Sequence, residues 1–219
     1  VESKQTIYLT ITCDECEKFN GFLNDAGITE GSRCVIVTNN SLISFCYEKI
    51  EPFLSKFFKS IHLIDIPEGE VEKSVSRVSL LLDSFLDLKL ERRDYVIALG
   101  GGVIGDLVGF TASIYKRGLG LIHIPTTLLA QVDSSIGGKT GVNHQIGKNL
   151  IGSFFHPNCI LTDISFLNTL PKREWLSGMA EIVKYGVIGN VELFELIENE
   201  IDKIKKFDVH NDSEIWLQL

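Results

Sequence analysis

The chain has 219 residues, of which 44% are apolar and 23% are charged, and these proportions are typical of a folded globular protein. It contains 21 Lys and Arg residues against 29 Asp and Glu residues, so its formal net charge at pH 7 is −8. Because proteins that bind nucleic acids take much of their affinity from Lys and Arg, this balance argues against a general nucleic-acid binder but allows a local basic pocket for a small anion.

Short β-rich runs alternate with amphipathic stretches in the first part of the chain. Strands are predicted over 7–12, 35–38, 61–66, 95–99 and 121–124, and helices over 41–58 and 70–88. Such alternation is typical of βαβ units in a mainly parallel sheet. From Pro171 onward the strands stop, and helices are predicted over 172–188 and 191–207. The sequence therefore predicts a Rossmann-like α/β domain over 1–170, followed by the start of an all-helical domain over 171–219, with a boundary near Leu170.

The N-terminal residues, the length of the apolar runs and the cysteines indicate the cellular compartment of the protein. The N-terminal residues lack the pattern of a secretory signal, and no run of about 18 uncharged apolar residues occurs, so we expect a cytoplasmic protein without a membrane partner. The five cysteines are scattered and odd in number, which favours reduced thiols. Cys13 and Cys16 form a Cys-x-x-Cys pair, but a zinc site would require a second pair and a thioredoxin-like site usually has Pro or Gly between the cysteines.

A glycine-rich loop follows the fourth predicted strand. Gly100, Gly102 and Gly105 satisfy the pattern G-x-G-x-x-G, and an apolar helical stretch comes next. Glycines let the backbone approach a pyrophosphate, while the free N–H groups at the start of the helix face the anion. The alternative is a tight strand-to-helix turn without a ligand.

The acidic residue that usually binds the ribose of NAD is missing from its expected place after this loop. No Asp or Glu occurs between Leu107 and Val132, which argues against a standard NAD(P) dehydrogenase. The segment that contains Glu68, Glu70 and Lys73 follows the third predicted strand and is the candidate for the ribose contacts.

A dense polar block extends over 123–144 and contains more hydroxyls, glycines and charges than a structural connection requires, as functional loops do. Asp133 within it is expected to balance charge or to orient a substrate hydroxyl. Four cationic or amide side chains in or near the block are candidates for binding a phosphate and a carboxylate: Arg117, Lys139, Lys148 and Asn149. For each lysine taken alone, a solvated surface charge is the alternative.

Glu181 and Lys184 lie three residues apart and therefore on one face of a predicted helix. One interpretation is an ion pair on a solvated helix, which contributes little to stability. The other is a metal-binding carboxylate beside an ammonium group that binds substrate.

Five segments resemble, in order and spacing, the 3-dehydroquinate synthase family of the sugar-phosphate cyclases: 67–74, 100–106, 125–140, 147–149 and 179–185. The resemblance implies a dehydroquinate synthase-like fold and a cytoplasmic homodimer that depends on NAD and on Zn²⁺ or Co²⁺. It also implies a lyase of the shikimate pathway, which makes 3-dehydroquinate and phosphate from a phosphorylated sugar acid, 3-deoxy-D-arabino-heptulosonate 7-phosphate. In that reaction NAD oxidises a ring alcohol transiently, phosphate is eliminated, the hydride returns and an aldol step closes the ring.

The resemblance further implies roles for single residues. The NAD-binding residues would be Asn39, Glu70, Lys73, Gly101, Gly102, Val103, Asp106, Thr126, Thr127, Lys148, Phe166, Leu167, Asn168 and Thr169. The substrate-binding and catalytic residues would be Asp133, Lys139, Asn149, Lys184 and Arg117, the last of which would reach a neighbouring subunit's site. Glu181 would be a metal ligand.

The metal site is incomplete in the sequence. A catalytic zinc site usually takes three protein ligands, and the two histidines that the family supplies from its helical domain have no counterpart. The five histidines of the chain are expected in strands, loops or the tail: His62, His123, His144, His156 and His210. We therefore expect the N-terminal portion of a longer enzyme, which binds NAD weakly and is inactive by itself.

Three other functions stay open. Another sugar-phosphate cyclase, such as 2-deoxy-scyllo-inosose synthase, would use the same NAD cycle on a different substrate. A metal-dependent polyol dehydrogenase would release NADH. A truncated NAD-binding or dimerisation module would catalyse nothing.

Overall fold

A computed structural model of the chain describes residues 6–11 and 18–219. The strands in these ranges are β1 (Ile7–Ile11), β2 (Arg33–Asn39), β3 (Ser60–Ile66), β4 (Tyr95–Gly100), β5 (Gly120–Pro125), β6 (Lys139–His144), β7 (Gly147–Phe154) and β8 (Cys159–Asp163). The helices are α1 (Lys18–Asp25), α2 (Glu48–Phe57), α3 (Val75–Asp87), α4 (Gly102–Ile114), α5 (Lys172–Gly189), α6 (Val191–Asn199), α7 (Ile201–Ile204) and α8 (Ser213–Gln218). No helix among the described residues is long and apolar enough to cross a membrane.

Six of the strands form one parallel sheet in the order β1-β8-β5-β4-β2-β3, and β6 and β7 form a separate antiparallel hairpin. The chain runs from β2 outwards to β3 and then returns to place β4 on the other side of β2. In open α/β sheets, ligands bind outside the carboxyl ends of the strands at such a reversal. Here the reversal lies between Asn39, which ends β2, and Gly100, which ends β4. The predicted Rossmann-like, mainly parallel α/β fold is confirmed.

The sheet is covered by helices on both faces. Ile36 and Ile97 pack in one cluster with residues of α1 and α2, while Val35 and Val96 pack in a second cluster with residues of α3 and α4. Successive residues of a strand face opposite sides, so the apolar runs of β2 and β4 supply both clusters. β4 is buried at all its positions, as expected for a central strand of a parallel sheet.

The helices after β8 form a third apolar cluster. The rings of Trp175 on α5 and Trp216 on α8 have centroids 4.6 Å apart, and Leu128, which follows β5, belongs to the same cluster. The helical part therefore packs against the carboxyl end of the sheet. After Asp163 the described residues contain no further strand; a domain boundary near Leu170 stays a prediction.

Several predicted elements differ from the structure. The predicted helix 41–58 consists of a 3₁₀ turn, a π-helical turn and α2. The predicted helix 70–88 begins only at Val75, because the Ser74 side chain accepts a hydrogen bond from the amide of Arg77 and caps α3. The predicted helix 191–207 is interrupted at Glu200. The hairpin and β8 were not predicted; the strands of the hairpin carry lysine, asparagine and glycine rather than a clear alternation of apolar and polar residues.

The described cysteines, Cys34, Cys46 and Cys159, are buried free thiols. Burial raises the pKa of Cys46 and of Cys159 to about 12, so both remain protonated and unreactive at neutral pH. This state agrees with the prediction of reduced thiols. Cys13 and Cys16 lie outside the described residues.

His123 on β5 is buried beneath the glycine-rich loop. A Cβ atom at Gly105 would lie 3.2 Å from Cε1 of the imidazole ring, so the missing side chain lets α4 approach β5 closely. Burial lowers the pKa of His123 from 6.5 to about 4. The unfolded chain therefore binds more protons than the folded chain between these values, and the folded state loses stability as the pH falls through this window.

We expect His123→Gln to remove this part of the pH dependence. Between about pH 7 and pH 4, the free energy of unfolding of the unmodified chain should fall by about 3 kcal/mol more than that of the variant. Denaturant titrations at several pH values across this range give the slope of the free energy of unfolding against pH for each protein. His62→Gln, at an exposed position of β3, is the control and should keep the original slope, whereas an original slope in His123→Gln would contradict the prediction.

Candidate cofactor and substrate site

Two adjoining cavities open beyond the carboxyl ends of the strands. The sheet cleft has a volume of about 760 Å³ and lies over the ends of β2, β4 and β5, with Asn39, Gly101 and Thr126 in its wall. The hairpin cavity has a volume of about 490 Å³ and lies between α4 and the β6–β7 hairpin. Asp106 and Ser134 line both cavities, so the cavities adjoin at these two residues.

The glycine-rich loop forms the floor of the sheet cleft. Gly101 is the N-cap of α4, in extended conformation. A Cβ atom at Gly101 would lie 3.0 Å from Cγ2 of Thr127, and one at Gly102 would lie 3.0 Å from Oγ of Ser134. Side chains at these positions would crowd the cleft, while the first N–H groups of a helix lack partners inside the helix. The loop can therefore hold an anionic group close to its backbone.

Most residues predicted to bind NAD line the sheet cleft: Asn39, Glu70, Lys73, Gly101, Gly102, Val103, Asp106, Thr126, Thr127, Phe166 and Thr169. Three predicted residues do not. The Lys148 ammonium group lies at the margin, 3.6 Å from Oε1 of Glu70. Leu167 is buried in the helical cluster, and Asn168 is exposed. Their roles stay predictions.

Lys73 joins the two cavities. It is only 5% exposed, and its ammonium group donates to Oδ2 of Asp106 and, at 2.6 Å, to Oδ1 of Asn149. Burial raises the pKa of the Asp106 carboxyl group, although the Lys73 cation acts in the opposite direction. Lys73, which is predicted to bind NAD, therefore holds Asn149, which is predicted to bind substrate.

Three predicted substrate residues, Asp133, Lys139 and Asn149, line the hairpin cavity. Asp133 lies in a π-helical turn, Ala130–Ser134, a feature frequent at functional sites. Among the described residues, no carboxylate lies within ion-pair distance of Lys139. Its cation is thus available to an anionic ligand.

Tyr185 on α5 was not predicted as a site residue. Its hydroxyl group donates to Oδ1 of Asp133 at 2.9 Å, and burial together with this carboxylate raises the pKa of Tyr185. The contact joins the helical part to the hairpin cavity. Ser134 was also missed; its only signal in the sequence was its place beside Asp133.

Glu181 and Lys184 form an ion pair on α5, and the hydrogen bond to Glu181 raises the pKa of Lys184. The first of the two interpretations of their spacing describes this geometry. No group of three possible ligand residues that could hold a metal ion occurs in the part of the chain that the structure describes. The described residues therefore do not complete a metal site, and Glu181 as a ligand stays a prediction.

Arg117 lines neither cavity of its own chain. It is exposed on the turn between α4 and β5, and its backbone is left-handed, with φ of 65°. Its predicted contact with a neighbouring subunit's site stays a prediction.

We expect Lys73→Met to lower the free energy of unfolding by about 3 kcal/mol, because it leaves the Asp106 carboxylate partly buried without its cation. Denaturant titration measures the change. Adding Asp106→Asn should recover part of the loss, since the unpaired charge is then gone. Lys148→Met, whose side chain is 74% exposed, is the matched control and should change stability by less than about 0.5 kcal/mol. Equal losses in the two lysine variants would contradict the role of the buried pair.

Comparison with known proteins gives consistent matches. The family model described as 3-dehydroquinate synthase N-terminal matches residues 63–177, just over half of the chain. A 3-dehydroquinate synthase from Shewanella pealeana is 47% identical over 179 residues, which are 82% of this chain and 50% of that protein. The chain thus spans about half the length of the curated relatives that it matches.

Solved structures of two related enzymes share the fold. A 2-epi-5-epi-valiolone synthase from Streptomyces hygroscopicus subsp. jinggangensis 5008, with NAD⁺ and Zn²⁺ bound, has a TM-score of 0.83 and 30% identity, covering 94% of this chain and 56% of that one. A 2-deoxy-scyllo-inosose synthase complexed with carbaglucose-6-phosphate, NAD⁺ and Co²⁺ has a TM-score of 0.73 and 28% identity, covering 81% of this chain and 48% of that one.

Proposed function

The chain belongs to the 3-dehydroquinate synthase family, and from this premise we propose that its protein converts 3-deoxy-D-arabino-heptulosonate 7-phosphate into 3-dehydroquinate and phosphate. The proposal includes a place in the shikimate pathway of aromatic amino acid biosynthesis, a cytoplasmic location and a homodimer. The observation that carries it is the junction of the two cavities at Lys73, which binds Asp106 in the sheet cleft and Asn149 in the hairpin cavity.

The sheet cleft suits NAD. Its glycine loop leaves room for a pyrophosphate at the N-terminus of α4, and Glu70, which also lines the cleft, can accept hydrogen bonds from ribose hydroxyls. Asn39 donates through Nδ2 to the carbonyl oxygen of Ile66 at 2.9 Å, which leaves its Oδ1 as an acceptor. When bound, NAD supplies a reversible hydride acceptor, so that a ring alcohol can become a ketone and be restored.

The hairpin cavity suits the phosphorylated sugar acid. Lys139 offers a cation without a carboxylate partner among the described residues, and Asn149 offers its amide, so both can neutralise or bind phosphate oxygens. Asp133, held by the Tyr185 hydroxyl, is placed to accept a hydrogen bond from a substrate hydroxyl group. These residues orient the substrate so that the carbon chemistry takes place next to the cofactor.

The metal requires residues beyond those described. A catalytic zinc site usually takes three protein ligands, whereas Glu181 is the only ligand predicted for this chain. We propose that the protein uses Zn²⁺ or Co²⁺, with its other ligands in the part of the relatives' length that this chain does not span.

The relatives favour this substrate over the other cyclase substrates. The curated 3-dehydroquinate synthases are 43% to 48% identical to the chain, whereas the valiolone and inosose synthases are 30% and 28% identical. Asp133, Lys139 and Asn149 do not by themselves decide between the heptulosonate phosphate and a ligand such as the carbaglucose-6-phosphate of the inosose synthase, because both carry a phosphate group and hydroxyl groups.

The full-length gene product is expected to release phosphate from the heptulosonate phosphate with NAD in catalytic amounts and Zn²⁺ present, while residues 1–219 alone are expected to release none. Lys139→Met should lower kcat/KM at least about 100-fold, because the phosphate loses its unpaired cation. Lys205→Met, at an exposed position after α7, is the control. An assay of released phosphate, with the absorbance of NADH recorded in parallel, measures the activity of the full-length protein, of residues 1–219 and of both variants.

Each competing function has its own outcome in the same assay. Release from glucose 6-phosphate instead would indicate the inosose-type cyclase, and one NADH per turnover would indicate a polyol dehydrogenase. No turnover by the full-length protein would indicate a binding module. Activity of residues 1–219 alone would contradict the incomplete metal site.

A further inference from the structure

Asn143 near the end of β6 contacts three residues that are assigned to two different ligands. Its backbone N–H donates to the carbonyl oxygen of Lys73 at 2.8 Å, and its Nδ2 donates to Oε1 of Glu70 at 2.8 Å. Its Oδ1 accepts a hydrogen bond from the backbone N–H of Asn149 at 2.9 Å. Glu70 and Lys73 line the sheet cleft, whereas Asn149 lines the hairpin cavity.

We propose that Asn143 is a positioning residue, which fixes Asn149 relative to Glu70 and Lys73 and thereby aligns the substrate side of the site with the cofactor side. The proposal rests on the proposed function for the identity of the two ligands. The contacts themselves do not depend on it.

The backbone around Asn143 departs from the regular hairpin. The register of β6 against β7 shifts between Val142 and His144, and Asn143 pairs instead with Ser74 in an isolated parallel bridge. Between the pairs Val142–Ile151 and His144–Gly147, β6 has the single residue Asn143 whereas β7 has three residues, so Asn143 has no partner in the regular ladder. Here the irregularity connects the hairpin to the segment that carries Glu70 and Lys73.

Asn149 needs such support because its backbone is left-handed, with φ of 56°. This conformation is uncommon for residues that carry a side chain, although asparagine tolerates it better than most. The hydrogen bond from the Asn149 amide to the Asn143 side chain stabilises this conformation. The side chain of Asn149 is held separately by Lys73, at 2.6 Å.

The contact with Lys73 decides which end of the Asn149 side-chain amide is available to a ligand. The Lys73 ammonium group is only a donor, so it must occupy the Oδ1 acceptor of Asn149. The Nδ2 group of Asn149 then remains as a donor for an oxygen atom of the phosphate or a hydroxyl group. If Asn143 no longer held the backbone, this donor would lose its fixed direction.

The neutral amide of Asn143 is the group that satisfies both partners, because it accepts from Asn149 and donates to the Glu70 carboxylate. Aspartate at this position would keep the acceptor but would place a second carboxylate beside Glu70. Alanine would remove both contacts and leave the backbone bond to Lys73 intact. The two substitutions therefore separate the contact with Asn149 from the contact with Glu70.

The first test is amide hydrogen exchange of the hairpin in the full-length protein. Asn143→Ala should accelerate exchange of the Asn149 N–H about tenfold, because a hydrogen bond of ordinary strength is lost, and Asn143→Asp should accelerate it less. Gln145→Ala, at an exposed position of the same turn, is the control and should leave the exchange rate unchanged. Exchange in Asn143→Ala equal to that of the wild type would overturn the proposal.

The second test is steady-state kinetics with the heptulosonate phosphate and NAD. We expect kcat/KM to fall about 10- to 100-fold in Asn143→Ala through misplacement of Asn149, with a raised KM, and Gln145→Ala to remain at the wild-type value. A merely structural role would lower the thermal midpoint and the amount of active enzyme without raising KM, and that result would also overturn the proposal.

The two tests separate this proposal from the proposed function. If the wild-type protein releases no phosphate but Asn143→Ala still accelerates exchange at Asn149, the proposed function fails and the positioning role stands. If the wild type is active and Asn143→Ala matches it in both tests, the positioning role fails and the proposed function stands.

Discussion

The burial of one ammonium group organises the site. Lys73 lies between Asp106 in the first turns of α4 and Asn149 on the hairpin. An unpaired carboxylate at Asp106 would be costly at this depth, so the lysine must be present for α4 and the hairpin to approach each other. The segment that carries Lys73 leaves the helical conformation that its spacing predicted and begins α3 only after Ser74. Because Ser74 caps α3, Lys73 lies just before the helix, at the place where the two cavities meet.

The local charge of the site differs from the charge of the chain. The net charge is −8, yet Lys73, Lys139 and Lys184 lie in or near the two cavities. Lys73 and Lys184 are paired with carboxylates, whereas Lys139 has none within ion-pair distance among the described residues. A cation that the fold leaves unpaired in a cavity is suited to an anionic ligand, because no protein contact must be broken on binding. Net charge therefore argues against a general nucleic-acid binder but gives no information about this pocket.

Sequence reasoning recovered the features that depend on neighbouring residues. The apolar runs of β2, β4 and β5, and the glycines after β4, predict strands and a strand-to-helix turn from local chemistry alone, and these elements agree with the structure, whereas anion binding at the turn stays a prediction. The β6–β7 hairpin was missed because its strands carry lysine, asparagine and glycine rather than a clear alternation. Tyr185 and Asn143 were missed for another reason: each acts through a partner distant in the sequence, Asp133 for the first and Glu70 for the second. Spacing along the chain contains no signal of such pairs.

The turn before β5 shows how a residue outside both cavities can still be held in place. Lys116 and Arg117 both have left-handed backbones, with φ of 46° and 65°, and such conformations persist only where other contacts enforce them. Arg92 donates to the carbonyl oxygen of Lys116 at 3.0 Å, and the Lys116 ammonium group lies 3.2 Å from the Glu91 carboxylate. These contacts hold the backbone of the turn in place. The exposed side chain of Arg117 therefore extends from a fixed position on the surface, although it lines neither cavity of its own chain. The homodimer and the contact of Arg117 with a second subunit follow from the resemblance to the family and remain proposals, and the fixed turn determines only where the Arg117 side chain begins.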